Sequence, residues 1–156
     1  APFDCKIIFF DKKIFSDQEL SSISKDIGLK PENIKQDKLA AVLHQADILS
    51  IHLPLLPETA DAISSNELSL AKPSISIINT ARGGIVDEYA LHAFLSSNPD
   101  AFAAFDVYAE EPALENPLFK LSNFFGTSHR SSLTHEGINA MGLAAIAGLD
   151  DNKTLT

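Results

Sequence analysis

The sequence predicts an α/β domain made of βα units around a parallel sheet, and three observations carry that expectation. Short apolar runs alternate with helical patterns along the chain. The run Ser74 to Ile78 ends abruptly in Asn79-Thr80-Ala81-Arg82 and the pair Gly83-Gly84, with a helical pattern directly after it. A buried parallel strand reads this way when it stops at a loop whose backbone must approach a ligand. Finally, 156 residues with 45% apolar content suffice for one domain with a real core.

Each element has a local reason. Cys5 to Asp11 is a strand pattern that ends in an acid. Ser16 or Asp17 caps a helix to about Asp26, with Glu19 in its first turn and Gly28 as its stop. Ile34 to Gln36 is a short edge strand. Asp37 to Gln45 is a helix with Leu39, Val42 and Leu43 on one face. Ile48 to His52 is the next buried strand, which Pro54 and Pro57 forbid from continuing. Ser64 or Ser65 caps a short helix to Ala71. Ile75 to Asn79 is the central strand, and Asp87 caps the helix to about Ser97. Ala101 to Val107 and Phe124 to Thr127 are the last strands, and Thr134 caps a final helix from Glu136 to about Leu149. The polar tail 150–156 is expected to fray.

Composition excludes several classes. A net charge of −9 repels phosphate backbones, so no nucleic-acid partner is expected. The longest apolar run is far too short for a bilayer, so no membrane partner is expected either. No charged and then apolar leader is visible, so secretion is not expected. The single cysteine, Cys5, cannot form an internal disulfide, which fits a reducing, cytoplasmic compartment. The five histidines show no metal-ligand spacing, so no metal is expected.

The candidate functional residues stand at strand ends, where an open α/β sheet binds its ligands. Asp11 reads either as an acceptor for ribose hydroxyls or as a turn acid. Arg82, a planar cation with five donors, suits a carboxylate held in a bidentate pair, with a surface ion pair as the plainer alternative. His129, just past a strand, is placed to transfer protons near neutral pH. Glu111, in an acidic loop, reads as a solvated residue or as the carboxylate that favours an imidazolium. His52 also ends a strand before Pro54, and His44, His92 and His135 read as surface residues.

Together these segments resemble the D-isomer-specific 2-hydroxyacid dehydrogenase family from about Cys5 to Leu149. The resemblance rests on Ala46 to Pro54, Pro57-Glu58-Thr59, Ile78 to Glu88, Phe105 to Tyr108 with Glu111-Pro112, and Thr127-Ser128-His129. It implies a Rossmann-like doubly wound parallel sheet and an NAD-dependent interconversion of 2-oxo and D-2-hydroxy acids. Its catalytic Arg, Glu and His fall on Arg82, Glu111 and His129, which lie 29 and 18 residues apart. Arg82 would hold the substrate carboxylate, His129 would protonate the carbonyl oxygen, and Glu111 would keep His129 protonated. The same resemblance assigns cofactor contacts to Asp11, His52, Leu53, Pro54, Thr80, Ala81, Arg82, Asp106 and His129. Asp106 would face the nicotinamide carboxamide, and Asp11 beside the ribose would favour NAD over NADP.

The chain departs from the family pattern in four places. The family's Gly-x-Gly-x-x-Gly turn and the strand before it lie upstream of the strand at Cys5 to Asp11, where this sequence has Ala1 to Asp4. Residues 1–149 are therefore expected to be a partial NAD-binding domain, with the substrate domain absent and a tail at 150–156. Ser128 stands where the family has proline, and Arg130 where it has an apolar residue. In a sheet of order 3-2-1-4-5-6, losing strand 1 leaves two facing edges. The expectation is that the second strand closes onto the fourth, or that a second copy or a complementing chain pairs with the open edge. The rival expectation is a non-catalytic remnant or an oligomerisation module that keeps the scaffold.

Overall fold

The computed structural model describes residues 5–150. Six parallel strands and five α-helices alternate along them. β1 (Ile7–Phe9) is followed by α1 (Asp17–Asp26), β2 (Ile34–Gln36), α2 (Leu39–Gln45) and β3 (Ile48–Ile51). Then come α3 (Ser65–Leu68), β4 (Ser76–Asn79), α4 (Glu88–Ser97), β5 (Phe102–Phe105), β6 (Phe124–Gly126) and α5 (His135–Asp150). Single 3₁₀ turns at Pro31–Asn33 and Pro117–Lys120 had no clear sequence signal beyond a leading proline.

The helix starts follow the capping chemistry of the sequence. At α1, Ser16 and Glu19 form a reciprocal capping box, and Ser64 with Glu67 does the same at α3. The Asp87 side chain accepts from the amides of Tyr89 and Ala90 at the start of α4. Thr134 Oγ1 accepts from Gly137 N at 3.0 Å, so the expected cap of α5 is present. The expected Asp37 start of α2 moves to Leu39, and α3 stops at Leu68 instead of Ala71. Most strands are shorter than their apolar runs, because pairing ends where the partner strand turns away.

Parallel pairing follows the order β3-β4-β5-β6 in one four-stranded sheet, with Ile48 opposite Ser76, Ser76 opposite Phe102, and Ala103 opposite Phe124. β1 and β2 form a separate two-stranded parallel sheet. The direct closure that one sequence expectation allowed does not occur: β1 pairs only with β2. A cleft of about 1190 Å³ lies between β1 and β3 instead.

The core belongs to the larger sheet. Ile75, Ile77, Leu91, Leu95 and Leu118 are fully buried against Leu43 and Leu68. A short parallel bridge, Ile63 to Val86, clips the segment after β3 to the loop after β4. The expected Ala1 to Asp4 lead-in and the tail beyond Asp150 lie outside the described residues.

Candidate active site

The loop after β4 is shaped by a buried amide. Asn79, 1% exposed, donates from Nδ2 to the carbonyl of Arg82 at 3.0 Å and accepts from Ala81 N at 3.1 Å. That pair of bonds curls residues 79–82 into a compact turn at the strand's carboxyl end. Gly83 then crosses the next loop so closely that a Cβ there would stand 1.8 Å from the Tyr108 carbonyl oxygen and 2.6 Å from Ala109 N. Gly84 has φ +74°, a left-handed conformation that disfavours side chains. The double glycine is thus explained twice over. It lets the Arg82 loop press against the loop that carries Glu111.

Arg82 itself is exposed, and among the described residues its guanidinium bonds only its neighbour's carbonyl, from Nη1 to Ala81 O at 2.5 Å. Among the described residues it forms no ion pair, so the surface salt bridge that could have explained it is not made. With Ala81, His52, Leu53, Pro54 and Leu55 it lines an open pocket of about 540 Å³. Five residues named from the sequence as cofactor contacts therefore share one wall. Thr80 follows β4 without lining that pocket.

The histidine and the acid meet. His129 Nδ1 lies 2.8 Å from Glu111 Oε2, with side chains 50% and 36% exposed. The other carboxylate oxygen, Oε1, accepts from Tyr108 N at 3.0 Å, which fixes the acid's direction. The hydrogen bond from His129, then that from Tyr108, holds the Glu111 carboxyl below the usual glutamate range. Glu111 is therefore ionised at neutral pH and accepts at both oxygens. Nδ1 of His129 is then the donor toward it, which leaves Nε2 for another partner.

Asp106 does something the sequence did not foresee. It is 3% exposed, and its carboxylate is already engaged. Oδ1 accepts from Thr127 Oγ1 and from Arg130 N, the latter at 2.8 Å, while Oδ2 accepts from Ser131 N at 2.8 Å. Burial alone would raise its carboxyl, but hydrogen bonds from Ser131, Thr127 and Arg130 outweigh it and hold the group well below the usual aspartate range. Asp106 thus ties down both ends of the segment 127–131 around His129, whose own φ of +50° needs such support. Thr127 and Ser131 were missed as functional residues because their role depends on an acid 21 and 25 residues away.

Beneath this segment Tyr108 is nearly buried, donates to Phe105 O at 3.2 Å and packs on Phe119. Burial, then the charges of Asp106, Glu88 and Glu111, pushes its phenol up to about 12, so it stays protonated at neutral pH.

Asp11 stands apart from that cluster. It follows β1 and accepts from Lys13 N at 2.8 Å, an ordinary turn bond that leaves one carboxylate oxygen available. It shares the inter-sheet cleft with His52 and Leu53, which also line the Arg82 pocket. Lys12, next to it, pairs with Glu58 at 3.1 Å. This contact places the carboxyl ends of β1 and β3 on the same side of the molecule.

Parallel strands with an acid after β1, a pocket beyond the carboxyl ends of β3 and β4, and an acid–histidine pair on the loops after β5 and β6 suit a dinucleotide-binding oxidoreductase domain, although the pocket's lining does not include Glu111 or His129. The chain belongs to the D-isomer specific 2-hydroxyacid dehydrogenase family, through the NAD binding domain, whose model matches residues 1–131. NAD is the cofactor of that domain family. Among its relatives, the D-3-phosphoglycerate dehydrogenase of Methanocaldococcus jannaschii is 39% identical over 106 residues, which is 68% of this chain and 20% of that protein. The glyoxylate reductase of Thermococcus litoralis is 35% identical over 139 residues, 89% of this chain and 39% of that protein. Similar folds occur in a glyoxylate reductase from Paecilomyes thermophila, with TM-score 0.78, 28% identity, and 93% and 41% of the two chains covered. The NAD-complexed D-isomer specific 2-hydroxyacid dehydrogenase from Lactobacillus delbrueckii ssp. bulgaricus gives TM-score 0.76, 27% identity, and 92% and 44%. The chain thus spans a fifth to two fifths of the length of these curated relatives.

The residues present fit one part of NAD. Asp11 offers a carboxylate oxygen for ribose hydroxyls, and the pocket beside Arg82 has an apolar wall of Leu53, Pro54 and Ala81 for a flat ring. No Gly-x-Gly-x-x-Gly occurs in the sequence to hold a pyrophosphate.

Proposed function

We propose that this domain serves an NAD(H)-dependent oxidoreductase that reduces 2-oxo acids to D-2-hydroxy acids. The observation that carries the proposal is the 2.8 Å contact between His129 Nδ1 and Glu111 Oε2, with Glu111 on the loop that Gly83 brings against the loop of Arg82, which forms no ion pair among the described residues. Arg82 binds the substrate carboxylate with its guanidinium. Glu111 accepts a hydrogen bond from Nδ1–H and so fixes which nitrogen of the imidazole is offered. His129 delivers the proton on Nε2 to the substrate's carbonyl oxygen, and recovers it from solvent. The hydride would come from NADH when it is bound. In the reverse direction His129 takes the hydroxyl proton. Asp106 keeps the segment 127–131 in place, so its part is positioning, and it touches no substrate.

The substrate is a small 2-oxo or 2-hydroxy acid, and the acidic, single-cysteine chain suits the cytoplasm.

The test is NADH binding, followed by fluorescence or calorimetry into the millimolar range. Saturable binding is expected, weakened several-fold by Asp11→Ala. Turnover of hydroxypyruvate, glyoxylate or pyruvate should then fall about 10²- to 10⁴-fold in His129→Asn, far more than NADH affinity falls. No saturable binding, or turnover indifferent to His129, would leave the domain as a non-catalytic scaffold.

A further inference from the structure

We propose that Tyr108 is a second positioning residue of this site: it touches each of the three loops that carry Arg82, Glu111 and His129, and so fixes their mutual spacing. Two hydrogen bonds hold its stretch of chain from either side. Asp106 N donates to Asn79 O at 3.0 Å, and Ala109 N donates to Glu88 Oε1 at 2.7 Å. The Tyr108 carbonyl lies against the Arg82 loop at Gly83, where a Cβ would stand 1.8 Å from its oxygen. The Tyr108 amide donates to Glu111 Oε1 at 3.0 Å. Its side chain reaches the segment that leads to His129.

That last contact is fitted to a phenol. β5 and β6 pair for the last time at Phe105 and Gly126. The Phe105 carbonyl there accepts two hydrogen bonds, from Tyr108 Oη at 3.2 Å and from Thr127 N at 2.9 Å. A Cβ on Gly126 would stand 2.3 Å from the Tyr108 oxygen and 2.3 Å from Phe119 Cε1. The phenol thus takes the room that a side chain at 126 would need, just ahead of His129. Phe119 packs on the Tyr108 ring with centroids 5.4 Å apart, and on Phe124 of β6 at 5.8 Å. Two glycines in separate loops, Gly83 and Gly126, therefore both yield to atoms of this one residue.

Arg82, Glu111 and His129 are all exposed, so their spacing is set by the loops beneath them. Tyr108, 6% exposed, belongs to the hydrophobic core and gives those loops a common footing. Its phenol is held protonated by burial and by the charges of Asp106, Glu88 and Glu111, so it donates a hydrogen bond and moves no proton. Its effect passes through Glu111 and His129. For turnover the inference rests on the proposed reaction, whereas the geometry of the acid–histidine pair stands without it.

The test compares the whole chain with Tyr108→Phe, which removes the hydroxyl, and Tyr108→Leu, which removes the ring as well; both keep the amide and carbonyl of residue 108. The Glu111 carboxyl is followed by carbon NMR against pH. In the parent it titrates below the ordinary glutamate value of 4.5, through the hydrogen bonds from His129 and then Tyr108 N. The midpoint should move up toward 4.5 in Tyr108→Phe and further in Tyr108→Leu, as the His129 segment drifts from Glu111. His129 and Asp106, which both bear on Glu111, are unaltered in either variant. With NADH and a 2-oxo acid, kcat should fall about 10- to 100-fold in Tyr108→Leu while KM changes little, and Tyr108→Phe should recover part of the loss. A merely structural role would lower Tm and leave the Glu111 midpoint where it is. An unmoved midpoint in folded Tyr108→Phe, which decides alone if Tyr108→Leu does not fold, would overturn the proposal. So would a loss of activity confined to KM. Absence of turnover in the parent would count against the proposed reaction, and the Glu111 titration would still decide the role of Tyr108.

Discussion

At the scale of single residues, the site depends on a few groups whose surroundings leave them little choice. Gly83 is the tightest case, because the atoms that a Cβ would meet are backbone and cannot swing aside. Gly83→Ala should lose about 3 kcal/mol of stability, read by urea denaturation; an unchanged midpoint would mean the two loops do not touch. Asp106 gives a pH signature. Its folded carboxyl lies below the ordinary value of 3.8, so its contribution is complete above 3.8 and disappears as pH falls through the folded value. Asp106→Asn should therefore cost about 2–3 kcal/mol at neutral pH. The gap from the parent should narrow on acidification below pH 3.8, as followed by Tm against pH. The candidate residues Arg82, Glu111 and His129 were legible in the sequence because each stands just past a strand, with unusual neighbours. The work of Asp106 was not, because its donors lie in a separate loop and only folding brings them to it.

At the scale of elements, local rules and tertiary packing divide the result. Capping signals at Ser16, Ser64, Asp87 and Thr134 all mark real helix starts, since a cap is satisfied within four residues. Asp87→Ala removes two such bonds and should cost about 1 kcal/mol, checked by chemical denaturation, with Asp87→Ser recovering most of it. Strand ends were less legible. The apolar run Ala101 to Val107 promised seven strand residues, whereas β5 has four. Val107 and Tyr108 are still buried, but they pack under the site loops instead of pairing. Hydrophobicity reports burial, and burial is not the same as membership of a sheet. α5 shows the converse: its Ile138, Met141, Leu143 and Ile146 are all more than half exposed, so its pattern describes a helix whose apolar residues find little to cover them.

At the scale of the molecule, stability should be uneven. β3 to β6 share the buried core, whereas β1 and β2 pair over only three residues each and stand alone as a sheet. Two-stranded sheets are marginal by themselves. Amides of β4 and β5 should therefore exchange at the rate of global unfolding, and those of β1 and β2 at least a hundredfold faster, by hydrogen exchange with mass spectrometry. Uniform protection would show that the cleft is closed in solution. The sequence by itself determined the α/β class, the order of the elements, the helix caps and the family, because periodicity, capping and short motifs are local properties. Only the tertiary structure decided that β1 does not close onto β3, that Asp106 is enclosed by the segment 127–131, and that the Arg82 and Glu111 loops touch across Gly83. These depend on contacts between residues far apart in the chain, and pairing and burial over such separations leave no pattern in any one stretch of it.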